Sequence, residues 1–87
     1  GDWMADRPAR PEAPRQATDP KAAWLQTCFD QLAEDPARAH AMAQIRRGET
    51  SGADRVLANH CLGVAASALG LWDDARAAFA AARAESP

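Results

Sequence analysis

The apolar positions of this chain fall into four groups divided by turn signals, and each group has helical spacing. The first 19 residues stand apart. Pro8, Pro11 and Pro14 recur every third residue, the period of polyproline II, so this tail is expected to be extended and free of helix. Asp19-Pro20 then reads as an N-cap followed by proline at the first helical position, where the missing N–H costs nothing. Trp24, Leu25, Cys28, Phe29 and Leu32 follow on one helical face. Asp35-Pro36 repeats the start signal, and a second helix is expected through Ala39, Met42, Ala43 and Ile45 to Arg47, with Gly48 at its end. Glu49-Thr50-Ser51-Gly52 is a loop of turn-forming residues. The third helix, from near Ala53, carries Val56, Leu57, Leu62, Val64 and Leu69 until Gly70 stops it. The fourth, from Trp72 or Asp73 to Glu85, should bury Ala75, Phe79 and Ala82 and expose Asp73, Asp74, Arg76 and Arg83. The expected fold is all-α, with two antiparallel helix-turn-helix hairpins.

Composition sharpens this picture. Eighty-seven residues make one small domain, which buries only about 60 to 65 per cent of its unfolded surface. Alanine, the best helix former, dominates and bulky residues are few, so the core must come from closely approaching helices. A net charge of −2 argues against a nucleic-acid surface, and Arg46-Arg47 reads as an ordinary cation pair at a helix C-terminus. No run nears the roughly 18 apolar residues of a bilayer span, so membrane insertion is not expected. Gly1-Asp2-Trp3-Met4 is compatible with added residues ahead of a start at Met4. Trp3 is the large apolar residue available to anchor the tail, on the domain or on a second copy.

The end of the chain carries a more specific pattern: Leu62, Gly63, Trp72, Ala75, Phe79, Ala82 and Pro87, alternating small residues where backbones must approach with large ones that fill the gap. It resembles the tetratricopeptide repeat, a 34-residue helix-turn-helix unit. The resemblance implies a short α-solenoid, with residues 1–19 as a tail, 20–87 as the helical domain, and units at about 22–55 and 56–87. Shifting back by one repeat places Leu25, Cys28, Phe29, Leu32, Ala41 and Ile45 at corresponding sites. That first unit is degenerate, with Phe29 where a small residue is expected and Gly48 where an alanine would be. Two units fall below the three or so that stacked repeats usually need, so an apolar end is left open. Either the natural protein continues beyond Pro87 or the end is covered by another copy, and a homodimer is expected.

In that family the inner surface is lined by fixed positions of each first helix, which here fall on Ala23, Gln26, Thr27 and Asp30, then Leu57, His60, Cys61 and Val64. The Lys, Arg and Asn that grip a terminal carboxylate in the best-known members are missing from these sites. The resemblance therefore implies a scaffold for a protein or peptide partner without a carboxylate clamp; a solvated face, or a module that self-associates through its uncapped end, is the competing reading. Pro11-Glu12-Ala13-Pro14-Arg15 also fits a PxxP ligand, although a stiff spacer explains it as well.

Cys28 and Cys61 fall on first helices that lie side by side in this architecture. Two readings stay open. A bridge would stabilise the domain by roughly 2 to 4 kcal/mol and would imply an oxidising compartment such as a periplasm; two buried thiols would suit the cytoplasm. His40, His60 and the cysteines make no recognised metal spacing. His60 and Cys61 are adjacent, point to different sides of a helix and lack an evident orienting carboxylate, and no Gly-rich phosphate loop occurs. A non-enzymatic chain without a cofactor is expected, and its richness in Ala and Arg is compatible with a GC-rich bacterial source.

Overall fold

The computed structural model describes residues 20–87, with side chains from Ala22 onward. Trp3, the PxxP segment, the Asp19 cap and the rest of the tail lie outside the described residues. The chain forms α1 (Pro20–Glu34), α2 (Pro36–Glu49), α3 (Gly52–Ala68) and α4 (Trp72–Glu85), with no strand among the described residues.

Local chemistry explains the start of α2 and the ends of α2 and α3. Asp35 alone separates α1 from α2, and its carboxylate accepts hydrogen bonds from the backbone N–H groups of Ala37 and Arg38 at 3.1 and 3.2 Å. That is the N-cap expected from Asp35-Pro36. α3 ends as Gly70 was expected to end it: Gly70 takes φ 74°, its N–H donates to Ser67 O, and the Leu71 N–H reaches back to Ala66 O at 2.9 Å. These two bonds close a Schellman turn, which needs a residue tolerant of positive φ.

The end of α2 differs from expectation. The helix passes through Gly48 to Glu49, and the Thr50 hydroxyl donates to Arg46 O at 2.6 Å. A side-chain hydroxyl thus satisfies a terminal carbonyl, and no left-handed glycine is needed there.

α3 is the hub. It packs against α1, α2 and α4, and α1 also packs against α2, whereas no Cα of either α1 or α2 lies within 8 Å of α4. The core is made of small side chains, as composition required: Cys28, Ala39, Ala43, Ala58, Cys61, Ala65 and Ala66 are fully buried. Trp24, Leu25, Phe29 and Met42 pack around a centre formed by Cys28, Ala43, Cys61, Leu62 and Ala78. The Arg46 guanidinium lies 5.5 Å from the Trp24 ring centroid, joining α2 to α1 by a cation–π contact.

Two packing expectations are corrected. Trp72, placed among the residues that fill the α3–α4 gap, is 64% exposed. It opens α4, and because side chains lean toward the helix N-terminus, a first-turn residue projects past the end of the packed interface. Ile45 is 62% exposed and Ala41 is exposed, while Ala39 and Ala43 take the buried positions of α2. The cause is the one-residue link at Asp35, against three residues, Leu69 to Leu71, between α3 and α4. α4 starts 36 positions after α2 (Pro36 to Trp72), so Ala39 corresponds to Ala75, and a 34-residue shift misplaces the face.

Candidate functional site

The face shared by α1 and α3 is organised around a bridge. Cys28 and Cys61 form a disulfide with Cα atoms 6.5 Å apart, so of the two readings of these residues the bridged one is found. Cys61 is therefore corrected as a partner-contacting residue: it is fully buried, because its side chain is spent on joining the helices. The other candidates divide by exposure. Gln26, Thr27, Asp30 and His60 are exposed, and Ala23, Leu57 and Val64 are half-buried.

Hydrogen bonds hold the α1 stripe in place. Gln26 Nε2 donates to Asp30 Oδ1 at 2.9 Å one turn on, and the Thr27 hydroxyl donates to Ala23 O at 3.0 Å. On α3, His60 is set between two aromatic rings, with its centroid 5.9 Å from Phe29 and 6.0 Å from Phe79, both edge-to-face. Phe29 and Phe79 belong to α1 and α4, so the imidazole spans all three helices. Phe29, which looked like a misfit in a small-residue site, is the α1 half of this arrangement. Phe79 owes its place to Gly63, where a Cβ would lie 2.6 Å from the ring.

The remaining packing residues are placed as follows. Leu62, Gly63, Ala75 and Ala82 are buried between α3 and its neighbours, and Phe79 is half-buried. Leu69, Leu71 and Trp72 form an exposed apolar corner, 40%, 41% and 64% accessible.

Two features were missed in the sequence. Glu85 accepts a bidentate pair from Arg55 Nε and Nη2, both at 2.6 Å, and a further bond from the Gly52 N–H at 3.1 Å. It therefore caps α3 from the end of α4, a role Ser51 does not fill with its own side chain. Hydrogen bonding from Arg55 holds the Glu85 carboxyl below the usual range against the opposing effect of burial, with the Gly52 N–H and the Arg55 charge adding to the lowering. The Arg55 guanidinium is raised in turn, first by its hydrogen bond to Glu85. A thirty-residue separation leaves no local signal for such a pair. Asn59 is different: it is 2% exposed with Oδ1 unpartnered, and a polar residue sharing a helical face with Leu62, Gly63 and Ala66 was visible in the spacing.

Among the described residues no three His, Cys, Asp or Glu side chains gather to hold a metal ion, and no helix is long and apolar enough to cross a membrane. No family model, curated protein or solved structure matches the chain.

Proposed function

We propose that this chain is a non-catalytic scaffold of tetratricopeptide-repeat type, two stacked helical hairpins that bind a peptide or protein segment on the α1–α3 face. The single observation that carries the reading is the Cys28–Cys61 bridge, which fixes two helices side by side with Gln26, Thr27, Asp30 and His60 exposed and Leu57 and Val64 half-exposed beside them. The order of packing supports it as well. α3 packs against all three other helices while no Cα of α1 or α2 lies within 8 Å of α4, the pattern of an open stack rather than of a closed bundle. A mostly neutral face of this kind suits an apolar or weakly polar segment, and its residues offer no clamp for a terminal carboxylate.

The buried bridge fits an oxidising compartment, and we place the protein in a periplasm on that ground. A pull-down with the protein, compared with Gln26→Ala/His60→Ala, tests the binding reading. Capture of a partner by the wild type and loss in the variant supports it; equal capture by both removes this face as the site.

A second reading has its own observation. The exposed Leu69, Leu71 and Trp72 corner is apolar surface of the kind a self-associating module presents. In that case the α1–α3 variants leave behaviour unchanged and substitutions on α4 alter oligomeric state.

A further inference from the structure

α2 and α4 flank α3 with no Cα of one within 8 Å of the other, and the furrow between them has a chemistry of its own. It opens as two clefts, and Arg47 lines both. The larger, about 690 Å³, is bounded by Arg47, by Arg55 and Asn59 of α3, and by Ala81, Ala84 and Glu85 of α4. The smaller, about 140 Å³, continues past His40, Gln44, Asp74 and Ala77, with Leu62 beneath.

The two walls are unlike. His40, Gln44 and Arg47 stand at i, i+4 and i+7 on α2 and form a single polar stripe. Ala77, Ala81 and Ala84 stand at the same spacing on α4 and are exposed, leaving a wall low enough for another backbone to come close. Asn59 lines the floor, 2% exposed and with Oδ1 lacking any hydrogen-bond partner. A buried carboxamide oxygen without a partner is uncommon in a folded chain and calls for a donor. Because a carboxamide has both a donor and an acceptor end, it matches the N–H and C=O of a main-chain amide.

Charge selects what else the occupant carries. Arg55 is already engaged by Glu85, while Arg47 is exposed and has no ion-pair partner among the described residues. One cation is thus available for a carboxylate. Asp74, on the opposite wall of the smaller cleft, disfavours a second carboxylate there. The α2 wall from His40 to Gly48 covers about 12 Å of helix, which an extended segment spans in about four residues.

We infer that the α2–α4 furrow is a second binding site, taking an extended peptide segment of about four or five residues that carries one acidic side chain. Its main-chain amide pairs with the Asn59 carboxamide, its carboxylate meets Arg47, and its backbone lies against Ala81 and Ala84. α1 contributes nothing to this site, which is separate from the α1–α3 face.

The test is a titration of the isotopically labelled 87-residue chain, followed by amide NMR, with acetyl-Ala-Ala-Glu-Ala-Ala-amide and with its Lys counterpart. The Glu peptide is expected to move the signals of Gln44, Arg47, Asn59 and Ala81 saturably, and at least about tenfold more tightly than the Lys peptide, the scale of one charge-assisted hydrogen bond. Arg47→Glu should abolish that preference and Ala81→Leu should block both peptides. Both positions are exposed, so the variants should keep the helical circular dichroism of the parent. No saturable shift, an equal response to both peptides, or unchanged binding by either variant overturns the inference. Shifts confined to Gln26, Asp30 and His60 also overturn it, while upholding the α1–α3 face as the binding surface.

Discussion

Gly63 shows how a single residue sets the packing of this domain. Alanine there would gain about 1 kcal/mol in helix propensity. Its Cβ would meet the Phe79 ring at 2.6 to 2.8 Å, and overpacking of that kind costs about 1–3 kcal/mol. Gly63→Ala is therefore expected to lose roughly 1 kcal/mol net in urea denaturation. In a Phe79→Ala background the same change should become neutral or slightly stabilising, because the clash is gone and only propensity remains. A double-mutant cycle showing additivity would refute the contact. Gly63 and Phe79 were legible in the sequence because a small residue and a large one at fixed helical spacing mark a close crossing. Trp72 obeyed the same rule and was misplaced, since spacing assigns an angle around the helix and says nothing of how far the neighbouring helix extends. The unpartnered Asn59 could have been read from its apolar neighbours, while Phe29 beside His60 could not, because that contact depends on how α1 is laid against α3.

At the scale of the helix, the ends are what the chain writes most clearly. Asp35 caps α2 through two backbone N–H groups, so Asp35→Ala should lower stability by about 1 kcal/mol in chemical denaturation, with Asp35→Asn nearly neutral. Its place as the only residue between α1 and α2 also sets the phase of α2, and here a rigid 34-residue register misled: Ala39 and Ala43 are buried where Ala41 and Ile45 were expected. The start of α3 is capped at long range by Glu85. Its carboxyl is held below the usual range in the folded state, chiefly by hydrogen bonding from Arg55, so the unfolded chain binds this proton more readily. The contribution is therefore present above the ordinary carboxylate pKa of about 4.3 and disappears as pH falls through the lower folded value. Stability measured from neutral to acid pH should fall less steeply in Glu85→Gln than in the parent over that window. Parallel profiles would show that the clasp makes no difference to folding.

Across the whole molecule, stability is concentrated around α3. It contacts every other helix, so its amides should exchange most slowly and those of the helices packed around it faster. The Cys28–Cys61 bridge works in the opposite direction, tying α1 to the hub across 33 positions. By the loop-closure argument its reduction should remove about 4 kcal/mol, a large part of the margin of so small a domain. Urea midpoints with and without reductant measure this, and an unchanged midpoint would show that α1 is held by packing alone. Reduction also separates the two surfaces. The α1–α3 face is built across the bridge, whereas the α2–α4 furrow draws no residue from α1, so binding at the first should fail before binding at the second as reductant is raised. The exposed corner of Leu69, Leu71 and Trp72 lies at the turn between α3 and α4, away from the mid-helix positions that the bridge joins. If copies of the chain associate through it, the parent should behave as a dimer by light scattering at micromolar concentration and Trp72→Glu as a monomer. Trp72 is 64% exposed and lies at the helix start, where a carboxylate suits the helix dipole, so the substitution should leave the fold intact and its effect on mass is a clean readout of the surface. A monomeric parent would leave this corner without a role in self-association and would favour the binding faces as the functional surfaces of the domain.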